Sequence, residues 1–221
     1  MRTFVLDAES GDDTVAVARA HGAEVETRRW SGFVAARRYA LARVSTPWTL
    51  MLDADELIDD ALRDALAAAP GDLAGYRVRR VTTLCGVPVR TAGWSNESLL
   101  RLFRTARARV EPHSVGGDAD LHERWIVDGP VGELPGTIVH DSYPTLAAYD
   151  AKFERYTSIE AAGLPPSRLA LARELALFPA RVVWSLLKYG GWRDGWRGLF
   201  VAWQSARYRV VVRLKALRDA R

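Results

Sequence analysis

Residues 48–56 read Trp48-Thr49-Leu50-Met51-Leu52-Asp53-Ala54-Asp55-Glu56. Five residues without a charge, ending in three acids, describe a buried strand over Trp48–Leu52 that releases its carboxylates at its carboxyl end. In open α/β sheets that end faces the ligand crevice. Upstream, Thr3–Asp7 is another short apolar run ending in an acid, and Asp12 or Asp13 can cap a helix through His21 with Gly22 behind it. Ala23–Thr27 reads as a strand, Phe33–Arg43 as a helix, and Asp59–Ala69 as an Ala- and Leu-rich helix stopped by Pro70-Gly71. This βαβαβα rhythm predicts an α/β fold with a parallel sheet and covering helices.

After Gly75 the pattern changes. Tyr76–Leu84, Pro88–Thr91, Leu99–Phe103, Leu121–Val127 and Thr137–His140 are strand candidates set between Gly, Pro and polar turns. From Thr145 onward the chain reads as helical, with breaks at Pro165-Pro166, Pro179 and Gly190-Gly191. The expected organisation is an α/β domain with a β-rich insert over 1–150, followed by a helical tail over 151–221.

The charge divides along the same line. The chain of 221 residues carries a net +4. Residues 151–221 hold 14 Lys and Arg against 5 Asp and Glu, while residues 1–150 hold 17 against 22. The acidic part suits a cation or a metal-nucleotide, and the basic part an anionic surface. Four of the eight tryptophans, Trp184, Trp192, Trp196 and Trp203, lie in the basic part. Amphipathic helices of that composition lie in the plane of a membrane; a core-packing helix pair with a solvated basic face is the alternative. Nucleic acid is not expected as a partner, because an acidic cleft repels a polyanion. The single cysteine, Cys85, excludes a disulfide framework and suits a reducing compartment. No uninterrupted apolar run is long enough to span a bilayer.

An Asp-x-Asp spacing means little by itself, and the chain has two, at 53–55 and 118–120. The second follows Gly116-Gly117 in a polar stretch and reads as a solvated loop. The first follows the apolar strand, where hard carboxylate oxygens suit Mg²⁺ or Mn²⁺ shared with substrate phosphates. A cap cluster for the following helix is the competing reading.

Leu6-Asp7-Ala8-Glu9-Ser10-Gly11-Asp12-Asp13-Thr14, then Trp30-Ser31-Gly32-Phe33 leading to Arg37-Arg38, then Leu52-Asp53-Ala54-Asp55-Glu56 resemble the family 2 glycosyltransferases of GT-A fold. The nearest likeness is to the lipopolysaccharide-core β-glucosyltransferase-like branch. Gly93-Trp94, Leu100–Arg104, Leu121-His122-Glu123, His140–Tyr143, Lys152–Thr157, Asp194-Gly195 and Gly198-Leu199 follow in that branch's order.

The resemblance implies a nucleotide-diphospho-sugar transferase sheet. It also implies inverting transfer of a sugar from a nucleotide-sugar, UDP-linked by expectation, to a glycan or lipid-linked acceptor of the cell envelope. By the same resemblance, Asp7 and Asp12 hold the nucleoside, Arg37 lies near the donor, and Asp53 and Asp55 belong to the metal-nucleotide motif. The family pattern has one further strand and helix ahead of the Asp7 strand, and an Arg-Asn pair where this chain has Arg37-Arg38. A start upstream of Met1, or a truncated and non-catalytic remnant that binds glycan or a partner at the membrane, is therefore the alternative expectation. A nucleotidyltransferase is disfavoured, since the chain opens without a Gly-rich nucleotide loop.

Inverting transfer needs a base for the acceptor hydroxyl and a cation for the departing diphosphate. Glu123 is the first candidate base and Glu97 the second, with Trp94 and Trp125 expected to wall the carboxylate; a surface acid on a strand edge is the alternative for both. His140 is a candidate to complete the metal shell or touch the diphosphate, with a hydrogen-bonded structural histidine as the alternative. The implied place of work is the cytoplasmic, inner face of the plasma membrane.

Overall fold

A computed structural model of the chain describes residues 2–68, 71–91, 94, 97–112 and 123–219. In chain order the first elements are β1 (Phe4–Asp7), α1 (Thr14–Ala20), β2 (Glu24–Thr27), α2 (Phe33–Arg43), β3 (Trp48–Leu50), β4 (Glu56–Ile58) and α3 (Asp60–Ala67). Then come β5 (Gly75–Leu84), β6 (Val87–Pro88), β7 (Glu97–Arg104), β8 (Ala108–Pro112), β9 (Glu123–Val127) and β10 (Val131–Tyr143). The chain closes with α4 (Leu146–Ala162), α5 (Arg168–Lys188) and α6 (Trp196–Asp219). The architecture is mixed α/β, as the GT-A likeness implies.

Two compact units share these elements, and their sequences interleave. The first takes Met1–Met51, Asp72–Tyr76 and Leu100–Gly132, over their described residues. Here β1 and β2 pair in parallel, from Phe4 opposite Glu24 to Asp7 opposite Thr27. Parallel strands need a crossover, and α1 supplies it. It ends before Gly22, whose φ of 79° is open to glycine without strain. β3 lies antiparallel to the end of β7, Trp48 opposite Arg104, and the Arg104 guanidinium sits 4.7 Å over the Trp48 ring. β8 and β9 form an antiparallel pair with Val110 opposite Trp125.

The second unit takes Leu52–Gly71, Arg77–Leu99 and Glu133–Arg221, again over their described residues. β4 runs antiparallel to β10, with Ile58 opposite Ile138 and Glu56 opposite His140. α3 closes over this pair, and Leu62, Val78 and Ile138 form a fully buried cluster. A second cluster joins Leu84 and Val89 to Val201 of α6. A third joins Ala161 of α4 to Val212 and Ala216 of α6. α4 and α5 start on hydroxyl caps, Thr145 and Ser167, which accept from the amides of Ala148 and Ala170. α6 and the turn before it meet so closely that a Cβ on Gly198 would stand 1.7 Å from the carbonyl oxygen of Gly191.

Several expectations are corrected. Parallel pairing occurs between β1 and β2, but β3 and β4 pair antiparallel with β7 and β10. A three-residue apolar run carries no record of its partner's direction, which is set by residues about fifty to eighty positions later. Pro179 does not break the tail; it lies inside α5. Pro179 and Leu175 both lie on an exposed side, where water can replace the helical hydrogen bond that the proline removes. β4 and β8 are short, carry little strand signal of their own, and owe their strand form to β10 and β9. Within the tail, α4 buries Phe153, Thr157 and Ala161 and α6 buries one face that includes Val201, Val210 and Val212, while α5 buries no residue.

Candidate active site

In the first unit a cleft of about 190 Å³ opens beyond the carboxyl ends of β1 and β2, lined by Leu6, Asp7, Arg28, Trp30, Ser31 and Tyr39 among others. That is the location expected of a ligand in a parallel α/β arrangement. Asp7 is 4% exposed, and its carboxylate accepts from the Ser10 amide at 3.2 Å. Hydrogen bonds from Ser10 foremost, and from Thr27 and Glu9, hold it below the usual carboxylate range despite desolvation. The Arg28 guanidinium stacks 3.9 Å over Tyr39, and Trp30 meets Phe33 edge-on. Asp12 is exposed, lies outside the cleft lining, and binds the Thr14 amide and hydroxyl at 3.0 and 2.5 Å.

Also in the first unit, Arg37 and Glu123 form an ion pair, Nε to Oε1 at 2.6 Å, with side chains only 15% and 16% exposed. The residue proposed near the donor and the first-choice base thus meet directly. α2 carries Arg37 toward the start of β9, while its neighbour Arg38 donates to the Val110 carbonyl of β8. Trp125 stacks on Phe103 in this unit.

In the second unit the Asp53–Glu56 segment is a turn leading into β4. Glu56 is buried, and its Oε2 accepts from the Asp53 amide at 3.0 Å while Oε1 accepts from Arg80 at 3.3 Å. Arg80 also binds Glu97, the second-choice base. Burial lowers the guanidinium's proton affinity, but Glu97 and Glu56 outweigh it and hold Arg80 above its ordinary value. Asp55 lies 41% exposed, 3.2 Å from His140 Nε2 and 3.8 Å from Lys152 Nζ. The His140 hydrogen bond first, then the charges of His140 and Lys152, hold Asp55 below the usual carboxylate range. Ser142 Oγ reaches His140 at 2.8 Å, and Lys152 sits 5.4 Å over the Tyr143 ring. Trp94, expected beside the base, packs on Tyr143 and Tyr149.

The cap reading of the acids falls to Asp59, whose Oδ1 accepts from Leu62 at 2.8 Å, leaving Asp53 and Asp55 ahead of β4. Gly93, the second Asp-Ala-Asp at 118–120, Leu121 and His122 lie outside the described residues. Glu56, Arg80, Ser142 and Lys152 were given no role from sequence. Glu56 belongs to the acidic burst, and Ser142 and Lys152 to motifs of the family likeness, whereas Arg80 is one arginine of several on β5 and carries no signal.

Among the described residues no three His, Cys, Asp or Glu side chains gather as a metal-ligand set. A Mg²⁺-type ion held by one or two carboxylates, waters and substrate phosphates is compatible with so sparse a set of protein ligands. Asp55, partly exposed on a turn, has the chemistry to serve as one of those carboxylates.

The family model for glycosyl transferase family 2 matches residues 2–117. The chain is 26% identical over 225 residues to the lipopolysaccharide core biosynthesis glycosyltransferase LpsC of Rhizobium meliloti, covering 96% of this chain and 80% of that protein. It is also 40% identical over 63 residues to uncharacterized glycosyltransferases of Rickettsia conorii and Rickettsia felis, a match spanning 28% of this chain and 22% of each relative.

Proposed function

From the premise that this chain belongs to glycosyl transferase family 2 and is a glycosyltransferase, we propose that it moves a sugar from a UDP-linked nucleotide-sugar to a glycan or lipid-linked acceptor, with inversion, in building the cell envelope. The observation that carries the reading is the Asp53-Ala54-Asp55 turn, with Asp55 ionised and partly open beside His140 and Lys152. The likeness to a protein named for lipopolysaccharide core biosynthesis supports the acceptor class.

The proposed roles follow from the chemistry of each side chain. Asp7 hydrogen-bonds the nucleoside in the cleft beyond β1, and Asp12 assists from the start of α1. Arg37 faces the donor and orients Glu123. The Glu123 carboxylate takes the proton of the acceptor hydroxyl; the oxygen attacks C1, and the C1–O bond to the diphosphate breaks on the opposite face. Glu97, held by Arg80, is the second candidate for the base. Asp53 and Asp55, with His140 beside them, would hold a Mg²⁺ or Mn²⁺ ion, which when bound neutralises charge on the departing diphosphate. We further place the transferase domain in residues 1–150 and a membrane-facing tail in 151–221, working on the cytoplasmic side of the plasma membrane.

The test is calorimetry of the full chain with UDP and Mn²⁺ or Mg²⁺, followed by UDP release from a panel of UDP-sugars. Metal-dependent binding and release are the expected results. Absence of UDP binding with either ion overturns the donor assignment, and binding without any turnover supports the non-catalytic remnant.

A further inference from the structure

α5 carries an outward stripe whose residues are all apolar and all exposed: Leu169, Ala172, Ala176, Ala180, Val183 and Leu187. Their spacing of three and four places them on one side of a helix about 31 Å long. A helix that faces water on this side should carry polar residues there, and this one does not. The only acid of α5, Glu174, is 14% exposed and pairs with Arg181 at 2.8 Å. The charges that flank the stripe, Arg168, Arg173 and Lys188, are all basic and exposed.

The apolar surface continues past the end of α5. Trp192, Trp196, Leu199 and Trp203 follow at spacings of four, three and four, each half or more exposed. Trp203 meets Phe178 of α5 edge-on at 4.7 Å, joining the two stripes. Cations sit over the rings around the turn: Lys188 over Trp184, Arg193 over Trp192, and Arg197 over Trp196 at 4.6 Å. Across residues 168–219 there are 11 Lys and Arg against 3 Asp and Glu. All three acids are already engaged, Glu174 with Arg181, Asp194 with the amides of Arg90 and Thr91, and Asp219 with Arg218.

We propose that the outer face of α5, continued by the tryptophans of the turn and the start of α6, docks in the plane of an anionic lipid bilayer. Aliphatic side chains enter the acyl boundary, tryptophans take the headgroup level, and Lys and Arg contact lipid phosphates. No described helix is long and apolar enough to cross a membrane, and in the proposed arrangement α5 and the start of α6 lie along the bilayer surface. A second copy of the chain fits the same face poorly. A two-fold contact would set Arg168, Arg173 and Lys188 against their own kind, with no acid on that face to pair them.

The full chain is mixed at low salt with vesicles of phosphatidylcholine containing phosphatidylglycerol, and with vesicles of phosphatidylcholine alone. Flotation with the anionic vesicles, a blue shift of tryptophan emission, and release at high salt are expected. The exposed pair Val183→Glu and Leu187→Glu should abolish flotation while circular dichroism and UDP binding stay unchanged. Lys188→Glu with Arg193→Glu should weaken partitioning at least about 30-fold. Equal binding to neutral vesicles, or no flotation with anionic ones, overturns the proposal. So does a dimer in size-exclusion chromatography that the two glutamate substitutions dissociate without any effect on vesicles. The inference rests on the membrane-facing tail proposed above, so its failure removes that placement as well; UDP binding in solution tests the transfer reading separately, and that reading is left standing.

Discussion

His140 Nε2 lies 3.2 Å from Asp55 Oδ2, joining two residues 85 positions apart. The register of β4 on β10 brings this about. Glu56 stands opposite His140, and the amide of Asp141 donates to the Asp55 carbonyl at 2.8 Å. The carboxylate is therefore presented from the end of an edge strand held along β10, with the neighbouring Glu56 tied to Arg80. Such backing restrains the turn without consuming the exposed carboxylate of Asp55.

Asp55→Ala should abolish Mn²⁺-dependent UDP binding and leave the fold intact, because Asp55 is partly exposed and outside the buried clusters. Calorimetry checks the binding and circular dichroism the fold. Unchanged affinity for UDP with Mn²⁺ would remove Asp55 from the site. Asp120→Ala, in the other Asp-Ala-Asp, should have no effect on binding.

Glu123→Gln should retain donor binding and lose turnover by about 10²–10⁴-fold, the scale of a general base. A base also leaves a mark that a purely structural partner of Arg37 does not: the acidic limb of the kcat–pH profile should disappear with the carboxylate. Near-normal turnover in Glu123→Gln would pass the role to Glu97, and Glu97→Gln would then be measured in the same way.

Gly198→Ala should destabilise the second unit by about 1–3 kcal/mol, the usual cost of overpacking. The added Cβ would collide with the Gly191 carbonyl, a backbone atom that cannot swing aside. Gly11→Ala, where nothing lies within 4 Å, is the control and should move the urea midpoint little. Equal midpoints for the two variants would contradict the close approach of α6 to its preceding turn.

Lys215 is buried, and its ammonium donates to Glu154 Oε2 at 2.6 Å, to the Thr157 hydroxyl at 2.8 Å and to the Ser158 hydroxyl at 2.9 Å. That hydrogen bond holds Glu154 below its ordinary value of 4.5. A carboxylate with a lowered folded value contributes stability above the unfolded value and loses it as pH falls through the folded one. The stability advantage of the wild type over Glu154→Gln should therefore exist at neutral pH and close on acidification below the ordinary glutamate range. The effect should be small, because the Glu154 side chain is 62% exposed. Denaturant titrations of both proteins across that range check the sign, and a gap that widens in acid would contradict it.

How much was legible depends on how local each signal is. Phe33–Arg43 was read as a helix to the residue, and the strand at the amino end nearly so, because propensity, caps and apolar runs act over neighbouring residues. The acidic burst after Trp48–Leu52, the family likeness and the basic, tryptophan-rich tail were likewise written in the chain order itself. Only the tertiary structure paired Asp55 with His140 and Arg37 with Glu123, placed Glu56 and Arg80 behind the turn, and set β3 and β4 antiparallel to later strands. Those contacts are made by groups far apart in sequence, and a carboxylate's neighbours in the chain do not state which cation will reach it. The tail shows the same division. Composition marked it as amphipathic, but which face met water was decided by α6, whose Val201, Val210 and Val212 turned inward while the apolar stripe of α5 was left outside.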